Sequence, residues 1–203
     1  MSVLDQISRY DFDGVGPTAP PAEFQWYHLS LTTYGAWLYG DERGFRTRRH
    51  REHVEGDYKH RPSKSDYHEQ RQRSTTLLQH AAVSLEPRYR EVVGMALVDR
   101  LRRLGAFVLT TAVAAKHVHC ELSMPFTTRN EWVAATKRHV WFEMRDEGWN
   151  KKLWGIRKKL LPIRTRSHHQ NAFNYIVRHA NEGAWVWVWE GVSDQRLARV
   201  FDG

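Results

Sequence analysis

Cysteine is almost absent from this chain, since Cys120 is the only one among its 203 residues. A single thiol cannot form an internal disulfide, and it excludes zinc sites that are built from several cysteines. Such a composition fits a reducing compartment. The sequence also lacks an apolar run long enough to cross a membrane, and its first residues lack the character of a signal peptide. We therefore expect a cytoplasmic protein without a membrane partner.

Acidic residues are in the minority: 23 Asp and Glu stand against 31 Lys and Arg, which gives a formal charge of +8 at pH 7. A surplus of this size suits a polyanionic partner, either a nucleic acid or a membrane surface. The nine Trp and eight Tyr could stack on bases, or they could belong to the core.

Two stretches are not expected to build core. Residues 1–23 include a proline-rich run and are interpreted as a flexible N-terminal tail. Between Asp41 and Arg73 nearly every residue is charged or histidine, which predicts a solvated loop or an extended arm. We expect a single domain over 24–203 that carries this basic insertion at about 41–73. Four histidines in the insertion have irregular spacing and no cysteine partner, so a segment that becomes ordered on DNA is favoured over a zinc site. They are His50, His53, His60 and His68.

The rest of the sequence alternates between strand patterns and helix patterns. Strands are predicted at 25–33, on both sides of a turn near 114–116, at 152–163 and at 184–190. Helices are predicted at 75–85, 87–105, 129–146 and 168–183. A capping box from Thr128 to Glu131 would open the third of these helices. The order of the elements indicates an α+β fold, a ferredoxin-like antiparallel sheet with helices on one face.

Two histidines lie close together in the run AAKHVHCELS, residues 114–123. Because side chains alternate along a strand, His117 and His119 point to one face while Val118 points into a core. Two imidazoles directed at one point form a metal site or an acid–base pair. Alternatively, they are two polar residues on the wet face of a sheet.

A tyrosine and a further histidine share one face of the last predicted helix. Tyr175 and His179 are four residues apart, and Arg178 lies beside them. If this face packs against the strand of the histidine pair, the pocket contains three imidazoles and one phenol. Three neutral imidazoles can hold a divalent ion. A deprotonated phenol beside a metal-bound phosphate can act as a covalent nucleophile.

The His-hydrophobic-His pattern, preceded by the strand FVLTTAVAAK, resembles the HUH motif of single-tyrosine transposases, and especially the REP-associated tyrosine transposases. The run HLSLTTYGAWLYGDERG, residues 28–44, resembles the opening strand and loop of that group. The resemblance implies an HUH-type α+β fold with Tyr175 as the nucleophile. It also implies that His117, His119 and His179 hold Mg²⁺ or Mn²⁺.

The activity that this resemblance implies is cleavage and rejoining of single-stranded DNA, hairpin-bearing in this group, through a 5′-phosphotyrosine link and without ATP. Members of the family act as homodimers, commonly with the histidines of one subunit serving the tyrosine of the other. The chain departs from the family where His179 replaces the usual amide, which favours Mn²⁺ over Mg²⁺. The run ANEG also replaces an Asn-Pro turn, and the insertion at 41–73 is long.

Basic residues around these positions are expected to hold the phosphates of DNA, or else to be solvated residues of a strand edge. They are Lys116, Arg157, Lys158, Lys159, Arg164, Arg166 and Arg178, within a basic run that also contains Lys151 and Lys152. The alternating Trp185, Trp187 and Trp189 are expected to pack or to form a dimer contact rather than to stack on bases.

Two alternatives remain open at the level of the sequence. Tyr34 and Tyr39, in a glycine-containing loop, are rivals to Tyr175 for the role of nucleophile. The whole protein could also be a non-catalytic nucleic-acid-binding protein of the same fold, either a repressor or an RNA binder. Only the enzymatic alternative requires His117, His119 and Tyr175 to converge.

Overall fold

The computed structural model of the protein describes residues 23–41 and 67–192. The predicted tail up to residue 22, residues 42–66 of the insertion and the last eleven residues, 193–203, lie outside this part. Five antiparallel strands form one sheet in the order β4-β1-β3-β2-β5. The strands are β1 (Phe24–Thr33), β2 (Phe107–Val113), β3 (His117–Pro125), β4 (Trp154–Pro162) and β5 (Trp185–Val188). The helices are α1 (His68–Thr76), α2 (Pro87–Arg103), α3 (Arg129–Asp146) and α4 (Arg166–Arg178), and a 3₁₀ turn over His179–Glu182 follows α4.

The first core lies between one face of the sheet and the helices α2 and α3. Alternate residues of β1 and β3 point into it, because successive side chains of a strand face opposite ways. They include Leu29, Leu31, Val118, Cys120 and Leu122, all of them buried. Strands β1 to β4 with these two helices give the βαββαβ order of a ferredoxin-like core. The predicted α+β class with an antiparallel sheet is confirmed.

Helix α4 covers the opposite face of the sheet, and β5 extends the sheet beyond β2. Phe173 and Val177 of α4 pack with Trp26 and Phe107 in a second core. The two helices of the ferredoxin-like core therefore share one face, as expected, while α4 is an addition on the other face. The face that α4 covers is the one that carries His117 and His119.

The predicted helix at 75–85 is wrong. The helix in this region is α1, which ends at Thr76, and residues 77–86 form no helix. Val83 and Leu85, two residues apart, both enter the first core, and their backbone N–H groups donate to Tyr34 and Ala115. The two buried apolar residues of this stretch thus follow the period of an extended chain, and the polar sequence before the stretch forms the helix.

The C-terminal part of the insertion is also not the loop that composition predicts. Within α1, a guanidinium nitrogen of Arg71 lies 2.6 Å from a carboxylate oxygen of Asp41, whose side chain is buried. Gly40 has a φ of 81° and packs so closely on α1 that a Cβ at this position would lie 2.4 Å from the backbone nitrogen of Arg71. Residues 67–73 therefore belong to the folded structure, since charge pairing and a glycine contact hold a helix that has no apolar stripe.

Two local predictions need correction in their detail. Helix α3 begins at Arg129 as expected, but the Thr128 side chain makes no capping hydrogen bond. The three tryptophans do not share one environment: Trp185 and Trp187 pack on the first core, whereas Trp189 packs on the second. Strand β5 ends at Val188, so the alternation does not extend to Trp189. A Cβ on Gly94 of α2 would lie 2.0 Å from the ring of Trp185, so packing within the chain accounts for this ring.

No helix of the described residues is both long and apolar enough to span a membrane.

Candidate metal and tyrosine site

The histidine pair lies on the face of the sheet that α4 covers. Val118 and Cys120 are fully buried in the first core, so the residues between and beside them point the other way. His119 pairs with Ser30 of β1 on one side and with Ala112 of β2 on the other. Both imidazoles are partly buried. The prediction that His117 and His119 share one face is confirmed by this register.

Helix α4 brings Tyr175 and His179 to the same place. Ile176 and Val177 are buried, and this anchors the helix while leaving Tyr175, on the rim, half exposed. His179 stands in the 3₁₀ turn that continues the helix, so the spacing of four residues still superposes the two side chains. Their ring centroids are 4.7 Å apart.

Three imidazoles form a cluster that could hold a metal ion. One ring nitrogen from each of His117, His119 and His179 lies within 4.8 Å of the others. Nδ1 of His179 donates to the backbone carbonyl of Tyr175 over 2.8 Å, and a carbonyl can only accept. In neutral His179 the lone pair is therefore on Nε2. In metal-binding histidines the ring nitrogen that does not hold the ion commonly donates a hydrogen bond, as Nδ1 of His179 does here.

The Tyr175 hydroxyl lies at the edge of this cluster. Its Oη is 3.5 Å from Nε2 of His119, and its ring is 5.2 Å from the His119 ring between centroids. Burial raises the pKa of Tyr175, and the Glu182 carboxylate raises it further. The phenol is therefore protonated near neutral pH, and a nearby cation would have to lower its pKa before it could act as a nucleophile.

His28 is a member of the site that sequence reasoning missed. Its Nε2 lies 2.9 Å from Nδ1 of His119, and Oγ of Ser30 lies 3.1 Å from the same nitrogen. The signal in the sequence is the polar alternation of His28, Ser30 and Thr32 against Leu29 and Leu31. Its meaning depends on the pairing of β1 with β3, which a single sequence does not provide.

Burial keeps the imidazoles of His28 and His119 neutral. Desolvation, and then the neighbouring His117, His28 and His179, lower the pKa of His119 to about 2. Desolvation is also the largest cause that lowers the pKa of His28 to about 4. A neutral imidazole is the form that binds metal, so His119 can offer a lone pair to an ion at neutral pH.

A buried acid–imidazole pair lies two residues along β3 from His119. Oε1 of Glu121 is 2.5 Å from Nδ1 of His169, and both side chains are almost fully buried. The His169 ring also meets the ring of Trp26 edge-on, with centroids 5.0 Å apart. This pair joins α4 directly to β3, and sequence reasoning assigned it no role.

The predicted phosphate-binding residues do not all lie on the face of this site. Lys159 pairs with Ser30, which pairs with His119, so these side chains share one rung and one face. Lys158 points to the other face, where its Nζ lies 3.4 Å from the carbonyl of Asn130. The others are exposed: Lys116 before β3, Arg157 in β4, Arg164 and Arg166 at the start of α4, and Arg178 at its end.

The rival tyrosines lie elsewhere. Tyr34 packs against the first core, on the opposite face of the sheet from the imidazole cluster, and the Lys152 ammonium lies 4.6 Å from its ring centroid. Tyr39 is exposed in the loop that follows β1. Among the insertion histidines, His68 is exposed at the first residue of α1, and the other three lie outside the described residues.

No protein-family model matches the chain, and no curated protein matches it in sequence. One solved structure that is similar to this chain is that of a REP-associated tyrosine transposase bound to a REP hairpin. The two chains are 14% identical, with a TM-score of 0.40, and the match covers 82% of this chain and 73% of the other. A likeness at this level carries no conclusion about activity.

Proposed function

We propose that this protein is a metal-dependent strand transferase that cleaves and rejoins single-stranded DNA, with Tyr175 as its nucleophile. The observation that carries the proposal is the position of the Tyr175 hydroxyl, 3.5 Å from His119 at the rim of three imidazoles that could hold an ion. The formal charge of +8 fits a polyanionic substrate.

The chemistry follows from these groups. Oη of Tyr175 loses its proton and attacks a backbone phosphorus, an Oη–P bond forms, and the bond to the 3′ oxygen breaks. The 3′ oxygen takes up a proton, so the products are a 5′-phosphotyrosine and a free 3′-hydroxyl. A divalent ion on His117, His119 and His179 would polarise the phosphoryl oxygens and offset the charge that develops on them. Rejoining is the reverse attack by a 3′-hydroxyl, which is why no ATP is required.

The neighbouring side chains position the strand and the nucleophile. Lys159 lies directly across β1 from His119, and this supports a role for its ammonium in holding a phosphate beside the scissile one. The half-exposed ring of Tyr175 leaves its hydroxyl accessible to a flexible strand. All four groups of the proposed centre come from one chain, which supports action of the tyrosine on its own subunit. An all-imidazole ligand set is softer than one with an amide, and we expect Mn²⁺ to support more activity than Mg²⁺.

The test is incubation of the protein with end-labelled, hairpin-bearing single-stranded DNA and Mn²⁺, Mg²⁺ or EDTA, followed by a denaturing gel. We expect a covalent protein–DNA band with the metals and none with EDTA. Digestion of the band and mass spectrometry should place the nucleotide on the peptide that contains Tyr175. Salt-sensitive binding without any covalent band would favour the alternative, a non-catalytic nucleic-acid-binding protein.

A further inference from the structure

His28 has no part in the chemistry above, yet it contacts a proposed metal ligand directly. It lies in β1 opposite Glu121, so His119 is its diagonal neighbour across the strand pair. Its Nε2 is 2.9 Å from Nδ1 of His119, and Ser30, directly opposite His119, places Oγ 3.1 Å from the same nitrogen. Two polar atoms of β1 therefore converge on one nitrogen of one ring.

The other nitrogen of His119 faces the cluster. Nε2 of His119 is the atom that lies 3.5 Å from the Tyr175 hydroxyl, and one ring nitrogen of His179 lies within 4.8 Å of a ring nitrogen of His119. A neutral imidazole carries its proton on one nitrogen only and offers a lone pair on the other. If Nε2 carried the proton, it could neither bind an ion nor accept a hydrogen bond from the phenol.

We propose that His28 is a positioning residue that holds His119 in the tautomer with the proton on Nδ1, with Ser30 as a second acceptor. The Nε2 lone pair of His119 is then directed at the space between His117, His179 and Tyr175. His28 must itself carry its proton on Nδ1 for its Nε2 to accept. The inference rests on the proposed function, because an ion or the phenol needs the lone pair on Nε2 of His119.

The arrangement has a counterpart within the same cluster. His179 has its tautomer fixed by a backbone carbonyl, which can only accept a hydrogen bond. His119 stands in mid-strand, where its nearest backbone groups are committed to the ladders with β1 and β2. A side chain from the neighbouring strand therefore does for His119 what the carbonyl of Tyr175 does for His179. Outer partners of this kind are worth about 10- to 100-fold in metal affinity.

The experiment compares two amides of different length at position 28. His28→Gln places a polar atom as many bonds from Cα as Nε2 of histidine. His28→Asn places it only as many bonds away as Nδ1. Long-range ¹H–¹⁵N spectra of the metal-free protein distinguish protonated from bare ring nitrogens, and the spectrum of His119→Gln assigns the His119 signals. Calorimetric titration with Mn²⁺ then measures affinity, with His139→Ala on α3 as a histidine control away from the site.

We expect wild-type His119 to show a protonated Nδ1 and a bare Nε2. His28→Asn should give a mixture of tautomers and bind Mn²⁺ about 10- to 100-fold more weakly, whereas His28→Gln and His139→Ala should stay close to wild type. A wild-type His119 with its proton on Nε2, or a His28→Asn protein with unchanged tautomer and affinity, would overturn the inference. Absence of DNA cleavage by a wild-type protein with the expected tautomer and Mn²⁺ affinity would overturn the proposed function instead and leave this inference standing.

Discussion

Among the tyrosines of the described residues, Tyr175 is the one whose hydroxyl contacts the imidazole cluster. Its ring is enclosed on one side by His28, His119 and His179, with centroids 5.8, 5.2 and 4.7 Å away, and is open on the other. A nucleophile needs this combination of a fixed position and an accessible oxygen.

Replacing Tyr175 by Phe removes the oxygen and little else. We expect Tyr175→Phe to abolish the covalent DNA adduct while binding of single-stranded DNA stays nearly unchanged, because the hydroxyl contributes to the transition state more than to the ground state. A denaturing gel and a fluorescence-anisotropy titration measure the two properties. Tyr34→Phe, on the other face of the sheet, is the matched control. An adduct of full yield from Tyr175→Phe would transfer the role to another tyrosine.

The imidazoles of the pair should be needed together. We expect His117→Ala and His119→Ala each to weaken Mn²⁺ binding by at least about 10-fold and to remove cleavage, because two remaining ligands hold an ion poorly. Calorimetry with Mn²⁺ measures the first effect and the adduct gel the second. His80→Ala, a histidine beside Tyr34, controls for the loss of an imidazole elsewhere. Equal Mn²⁺ affinity in all four proteins would mean that the pair is only a polar face of the sheet.

At the scale of elements, α4 is held on the sheet by apolar packing and by one buried polar pair. Phe173 and Val177 supply the packing, and the Glu121–His169 pair supplies a close polar contact beside it. Removing one partner of a buried pair leaves the other desolvated, which costs more than the pair contributes when intact. The position of Tyr175 therefore depends on Glu121, although Glu121 takes no part in the proposed reaction.

We expect Glu121→Ala to lower the free energy of unfolding by about 3 to 5 kcal/mol. The matched control is Asp99→Ala, which breaks the exposed pair with Arg103, 3.0 Å long, and should cost less than about 1 kcal/mol. Urea denaturation followed by circular dichroism measures both. If the two variants lose the same small amount, the pair does not anchor α4.

Helix α1 and the loop after β1 also depend on each other for their positions. Gly40 lies close to Tyr67 and Arg71, so the residues on either side of the segment 42–66 are near each other and a short bridge can join them. We expect replacement of 46–64 by a Gly/Ser bridge to leave the domain folded. A deletion that continues through Arg71 removes the contact with buried Asp41 and should lower the melting temperature clearly. Thermal melting of both deletions and of Arg71→Ala measures this, and equal melting temperatures would make α1 dispensable.

At the scale of the whole molecule, residues 46–64 are one concentrated source of positive charge. This segment holds seven Lys and Arg against three Asp and Glu, a net charge of +4, and the whole chain has a net charge of +8. Lys and Arg that contact phosphates release counterions, so each contact steepens the dependence of affinity on salt.

The homodimer stays a prediction. Trp185 and Trp187, which were expected to contribute to it, pack within the chain.

We expect the protein with 46–64 replaced to bind single-stranded DNA more weakly and with a shallower salt dependence. The slope of log affinity against log salt should fall by about 0.7 for each phosphate contact that is lost. Anisotropy titrations at four salt concentrations measure it, with adduct formation at saturating DNA as the control for the site. An unchanged slope would mean that the segment does not touch phosphate and that the residues around β4 and α4 carry the electrostatics.

The two pairs of site residues could be predicted because each pair depends on a spacing of only two or four residues. The alternation of His117 and His119 with Val118 requires only that the segment be a strand, and the spacing of Tyr175 and His179 requires only a helical turn. The errors arose where local patterns were ambiguous. Residues 75–85 carry apolar side chains that fit a helix, but Val83 and Leu85 enter the core from an extended chain. Helix α1, by contrast, forms from a sequence without any apolar stripe.

The sequence by itself therefore determined the α+β class, the strand of the histidine pair and the helix of the tyrosine, since each depends on neighbours a few residues away. Only the tertiary structure decided that α4 lies on the histidine face, that His28 meets His119 across 91 residues of sequence, and that Glu121 meets His169. Strand register and helix docking fix these contacts. Both result from the packing of side chains that are distant in the chain, which no local propensity encodes.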